Sequence, residues 1–126
     1  TLAIPRLGTI NVHFAQLPKY RGGVSTFFWS LLNGDEIGHV TMHSVSEVVD
    51  SGQIIATKSF QIKSRSLFNY MEDGFRAGGD MLVEVFENLD LELDMRSVDY
   101  ESSTYFKFPT RSDLRTFWAR GNYLCD

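Results

Sequence analysis

The run Asp73-Gly74-Phe75-Arg76-Ala77-Gly78-Gly79-Asp80-Met81-Leu82-Val83-Glu84-Val85-Phe86 decides how the rest of the chain is read. Its second half carries a helical stripe, with Leu82, Val85, Phe86 and Leu89 at i, i+3, i+4 and i+7. Ahead of that stripe stand two adjacent glycines, which let the backbone turn and let a ligand approach the amides. The first N–H groups of a helix lack internal partners and carry partial positive charge. A glycine-rich loop running into an amphipathic helix therefore reads either as a phosphate cradle or as an ordinary glycine turn before a helix. Leu91-Glu92-Leu93-Asp94-Met95 alternates apolar and charged residues and predicts a strand after the helix.

Upstream of the loop, Gln53 to Lys63 reads as a strand with Ile54, Ala56, Phe60 and Ile62 as apolar positions. Ser64 to Asp73 reads as an irregular or short helical excursion, since Leu67, Phe68 and Met71 have helical spacing. Val24 to Leu32 is β-branched and aromatic, and Glu36 to His43 is strand-like. Asn33-Gly34 between them predicts a hairpin, because both turn residues need positive φ. Ile10, Val12 and Phe14 share one face of a first strand. Pro18 to Gly23 and Ser46 to Gly52 read as turn and loop.

Downstream, Tyr105 to Phe108 predicts a short strand. Thr110 to Gly121 predicts a helix capped by Ser112 or Thr110, with Leu114, Phe117 and Trp118 inward and Gly121 at its end. Tyr123-Leu124 supplies one last strand. The sum is a single α+β domain over residues 1–126, with a mixed, mostly antiparallel sheet, a central crossover helix and a C-terminal helix.

Composition bounds the rest. A chain of 126 residues holds one domain with a real core. Hydrophobic content of 43% against 22% charged argues against disorder. The net charge of −4 argues against a dedicated nucleic-acid binder. A single cysteine, Cys125, excludes an internal disulfide and a cysteine-rich zinc site, and predicts a cytoplasmic setting. No apolar run is long enough for a membrane span, and no secretory leader is visible.

The order of these motifs resembles the GCN5-related N-acetyltransferases (GNAT), which have the acyl-CoA N-acyltransferase fold. Arg76-Ala77-Gly78-Gly79-Asp80-Met81 resembles the family's Arg/Gln-x-x-Gly-x-Gly/Ala loop, with Met81 at the final small position. Glu36-Ile37-Gly38-His39-Val40 is similar to its second hairpin, and Phe117 to Tyr123 to its ending. The resemblance covers residues 24–124. It implies an N-acetyltransferase moving an acetyl group from acetyl-CoA to an amine, either a small molecule or a protein. Arg76, Ala77, Gly78, Gly79, Asp80 and Met81 would then hold the pyrophosphate, and the strand bearing Phe60 and Ile62 would line the pantetheine arm. Met81, and Trp118 in place of a tyrosine acid, leave open a catalytically inactive binding or inhibitor protein on the same scaffold.

Acetyl transfer needs a base for the incoming ammonium and an acid for the leaving thiolate. Glu72 and Tyr123 are the residues chosen for base and acid. Asp73, Glu47 and His43 share the chemistry of the first, Tyr105 and Tyr100 that of the second. His39 and His43 share a strand face about 13 Å apart, too far to chelate one metal ion. With His13 they read as exposed sheet positions, and no metal is expected. The unpaired meander edge is compatible with a homodimer.

Overall fold

The computed structural model describes residues 8–23, 25–88, 95–101 and 103–125. In chain order the elements are β1 (Ile10–His13), β2 (Tyr20–Gly22), α1 (Thr26–Asn33), β3 (Ile37–Ser44), β4 (Ile54–Gln61), α2 (Leu67–Glu87), β5 (Thr104–Phe106) and α3 (Arg111–Ala119). β1, β3 and β4 form an antiparallel sheet with β3 in the middle. β2 and β5 pair in parallel as a second, two-stranded sheet. The α+β class and the mixed pairing match the expectation from sequence. The strand expected over Leu91–Met95 lies, apart from Met95, outside the described residues.

Two expectations are corrected. The first is the hairpin at Asn33-Gly34. Residues 26–33 are helical, with Phe27, Phe28, Leu31 and Leu32 buried as one stripe. Gly34 ends that helix at φ +81°. Its N–H donates to the Leu31 carbonyl and the Asp35 N–H to the Ser30 carbonyl, both at 3.1 Å. This is the paired closure of a helix C-terminus, which needs a left-handed residue just as a tight hairpin does. Intrinsic β-preference lost to a stripe that packs on Tyr70 and Phe117.

The second correction is the glycine loop. One helix, α2, runs unbroken from Leu67 to Glu87, capped where the Ser66 hydroxyl accepts the Asn69 N–H at 3.3 Å. Gly78 and Gly79 therefore lie mid-helix, where an N–H is taken by the carbonyl four residues back. Gly74 and Gly78 serve packing, whereas Gly79 is exposed with open space around it. A β-carbon on Gly74 would stand 2.6 Å from the Phe27 ring, and one on Gly78 2.9 Å from the Phe14 ring. With Tyr70, Ala77 and Met81 they form the face laid against the sheet, where Val40 and Met42 are fully buried. Leu82 and Val85 pack on that cluster, whereas Phe86 is exposed.

The C-terminal helix forms as expected. Thr110 caps α3, and the Asp113 carboxylate accepts the Thr110 N–H in return at 2.7 Å. Phe117 is fully buried against Phe28, but Trp118 is half exposed.

Candidate active site

Residues far apart in sequence meet where β1 ends. Ile10, Val12 and Phe14 alternate with Asn11 and His13, so the polar pair shares the opposite face. Asn11 pairs with His43 across the β1–β3 ladder. Asp50 reaches the same place from the loop between β3 and β4, with its backbone at φ +49°.

Hydrogen bonds fix how these groups are presented. The His13 Nε2–H donates to the Tyr20 carbonyl at 2.6 Å. His13 Nδ1 faces the Asp50 carboxylate at 3.7 Å. The His43 Nδ1–H donates to the Ser44 carbonyl at 2.8 Å, so its Nε2 is the acceptor for the Asn11 amide at 3.1 Å. His43 Nε2 also lies 3.7 Å from Asp50. The Asp50 carboxylate accepts the Gly22 N–H at 3.0 Å. His13 and His43 are buried. Burial pushes the His13 imidazole below its ordinary value, against the upward pull of the Tyr20 hydrogen bond and of Asp50. His13 is thus a neutral, oriented base near neutrality.

Two clefts open onto this cluster. One, of about 380 Å³, is lined by His13, Asp50, Phe14, Phe27, Phe75 and Tyr105 among others. The other, of about 340 Å³, is bordered by Asn11, His43, Ser46 and Asp50. Val49 and Asp50 border both, so an imidazole, a carboxamide and a carboxylate stand between two spaces of small-molecule size. That arrangement suits transfer of a group from one bound molecule to another.

Most residues singled out from sequence lie elsewhere, the exceptions being His43 in the cluster and Tyr105 on the wall of the first cleft. Glu72 pairs with Arg76 at 2.8 Å on the exposed side of α2. The Tyr123 hydroxyl is 3.3 Å from the Ser64 hydroxyl. Phe60 and Ile62 pack against the core around Phe27 and Tyr70. Arg76, Ala77, Gly78, Gly79, Asp80 and Met81 are successive residues of the α2 interior and form no loop. Only His43, among the residues weighed as a base, belongs to the cluster. His13 is no exposed sheet position. Its signal was the Asn11-x-His13 spacing, which puts two polar side chains on one strand face. Among the described residues no group of three His, Cys, Asp or Glu could hold a metal ion. No helix among them is long and apolar enough to cross a membrane.

Comparison with known proteins corrects the family. The sequence model described as "Formyl transferase" matches residues 1–86. The methionyl-tRNA formyltransferase of Anaplasma marginale is 35% identical over 127 residues, spanning 98% of this chain and 40% of that protein. The one from Borrelia hermsii is 37% identical over 103 residues, spanning 75% and 32%. The chain thus spans about two fifths or less of these relatives' length. Among solved structures, an N-formyltransferase from Helicobacter canadensis complexed with folinic acid and dTDP-3-aminofucose is 26% identical with a TM-score of 0.70, covering 82% of this chain and 38% of that one. WlaRD, a sugar 3N-formyl transferase determined with dTDP and 5-N-formyl-THF, has the same TM-score at 25% identity, covering 82% and 37%.

The acetyltransferase resemblance, acetyl transfer and acetyl-CoA are overturned by these matches, as is the inactive acetyltransferase-like binder. The motif that suggested them lies inside α2, where Gly78 packs on Phe14 and Gly79 faces open space. The matched residues 1–86 include Asn11, His13, His43 and Asp50, and by that match the chain belongs to the formyl transferase family.

Proposed function

We propose that the cluster of Asn11, His13 and Asp50 is the reaction centre of a folate-dependent N-formyltransferase, with the terminal amine of methionyl-tRNA as acceptor. The observation that carries this reading is the neutral imidazole of His13, aimed by Tyr20 at Asp50 between two clefts. A bound formyl-tetrahydrofolate supplies an activated formyl group on nitrogen. The cleft beside Asn11 and His43 has a size and a polar edge that suit a heteroaromatic ring, with Ser46 and the Asn11 amide on its border.

In this scheme His13 Nδ1 takes the proton from the acceptor ammonium, freeing its nitrogen to attack the formyl carbon. Asp50 stabilises the imidazolium that results, much as it raises the His13 pKa now. An amide NH2 has two hydrogens. Asn11 gives one to His43 and keeps the other for the charge that develops on the formyl oxygen. When a formyl-tetrahydrofolate is bound, its carrier nitrogen would be the leaving group of this transfer. His13 would return its proton to that nitrogen while the second proton of the acceptor ammonium passed to solvent, so the imidazole would end neutral and the acceptor nitrogen would carry the formyl group as a neutral amide.

The choice of acceptor follows the closer sequence likeness, 35–37% to proteins named for methionyl-tRNA against 25–26% to sugar enzymes. That likeness outweighs the expectation drawn from a net charge of −4 on a chain that spans two fifths or less of those relatives. Parallel assays with a formyl-tetrahydrofolate and either methionyl-tRNA or a dTDP-amino sugar test it. Transfer to methionyl-tRNA is expected. Transfer to the sugar alone would change the acceptor, and transfer to neither would remove the reading.

A further inference from the structure

We propose that Arg21 and Tyr100 form a clamp that positions Asp50, by gripping the carbonyl groups on either side of it and holding its carboxylate against His13. The clamp serves the centre described above and rests on reading His13 and Asp50 as its acid–base pair.

Asp50 is the one described non-glycine residue with positive φ, a conformation that persists only where its surroundings impose it. Packing does not impose it, since the preceding Val48 and Val49 are 60% and 58% exposed. Hydrogen bonds do. On one side, Arg21 Nη2 and Nε donate to the Val49 carbonyl at 2.7 and 3.3 Å. On the other, the Tyr100 hydroxyl donates to the Gly52 carbonyl at 2.7 Å.

The two grips are tied together. Arg21 Nη1 donates to the Ser103 hydroxyl at 3.0 Å, and that hydroxyl donates to the Tyr100 carbonyl at 2.6 Å. The guanidinium also lies 5.4 Å from the centre of the Tyr100 ring. β2 then completes the site by itself: the Tyr20 carbonyl aims His13, the Arg21 side chain fixes Val49, and the Gly22 N–H meets Asp50. No reacting atom needs to touch Arg21 or Tyr100, so both are positioning residues.

A simpler role for Arg21, that of a cation near a carboxylate, predicts the opposite sign. Removing a cation near His13 raises the imidazole pKa. Releasing the loop takes the Asp50 carboxylate away and lowers it. The other titratable group facing His13 is His43 from β3, which both variants leave in place.

The test is a histidine NMR titration of the purified protein, with the His13 signal assigned from H13Q, in wild type, R21Q, Y100F, D50N and R21Q/D50N. The clamp predicts a lower His13 midpoint in R21Q and in Y100F, and no further fall when R21Q is added to D50N. It also predicts that formyl transfer by R21Q loses about 10²-fold in kcat/KM. R21K does not rescue this, because an ammonium cannot bridge Val49 and Ser103 as a planar fork does. Y100F removes one hydroxyl only and decides the matter if R21Q does not fold. A His13 midpoint unchanged or raised in both variants, or full activity in R21K, would overturn the clamp. Absence of formyl transfer in wild type alongside the expected titration pattern would sink the assigned reaction and leave the clamp standing.

Discussion

His13 donates its Nε2–H to the carbonyl of Tyr20 at 2.6 Å, and this one bond decides what His13 can do. A carbonyl only accepts, so the hydrogen of the neutral ring sits on Nε2. The lone pair is therefore on Nδ1, the nitrogen 3.7 Å from Asp50. That separation is too long for a direct hydrogen bond and leaves the nitrogen able to take a proton from a substrate.

The pH profile follows from this tautomer. Burial holds the His13 pKa below its ordinary value, so the base form persists into mildly acidic solution. Transfer measured as kcat/KM should rise with pH, with a midpoint below the ordinary imidazole value, and then level off. In D50N the rising limb should move to lower pH still, because a raising influence is gone. A limb at or above the ordinary value would contradict the burial argument.

Asn11→Ala tests the oxyanion role. Asn11 is exposed at a strand edge, so the fold should hold, and His43 would keep its bond to Ser44. Loss of a donor to developing charge predicts a fall of about 10²–10³-fold in kcat with little change in KM. Steady-state kinetics check it, and a change confined to KM would assign Asn11 to binding instead.

Two glycines should respond in opposite ways. A β-carbon on Gly22 would stand 2.4 Å from the Phe106 carbonyl oxygen, at φ +108°. G22A should therefore cost about 1–3 kcal/mol and pull the amide away from Asp50. Gly79 lies mid-helix with nothing near its missing side chain. G79A should stabilise the protein by up to about 1 kcal/mol and leave transfer unchanged. Thermal melts with activity assays separate them.

That contrast bears on what the sequence could reveal. The strand at Ile10–His13, the strands after Gly34 and Ser51, and the Thr110-capped helix were legible, since alternation, capping chemistry and stripes are local signals. The Thr26–Asn33 helix was not, because Phe, Trp and Thr favour strands and Asn33-Gly34 suits either a hairpin or a helix end. Gly78-Gly79 misled because a glycine can serve a ligand or a close helix–sheet contact, and only the Phe14 ring above it tells which. The site was the least legible part. Asn11 and His43 are 32 positions apart, and Asp50 reads as an ordinary loop carboxylate until Gly22 and Arg21 are seen to hold its loop.

Asp35 joins β2, α1 and the turn between α1 and β3. It accepts from Tyr20 at 2.6 Å, Lys19 at 2.9 Å and Ser30 at 3.1 Å. Burial alone would raise its pKa, but these bonds hold it below the ordinary carboxyl value. A depressed folded-state pKa gives stability present above the unfolded value and lost as pH falls through the folded one. D35N should cost about 1–3 kcal/mol at neutral pH, with the gap from wild type closing in acid. Urea melts across pH would show a constant gap if the carboxylate did not matter.

The most direct test of the account is the single-turnover rate of formyl transfer from a formyl-tetrahydrofolate to methionyl-tRNA in wild type and H13A. Loss of an oriented base predicts transfer in wild type and a rate lower by about 10²–10⁴-fold in H13A, with the thermal melt still cooperative. Equal rates in the two proteins would contradict the assignment of His13 as the group that moves the proton.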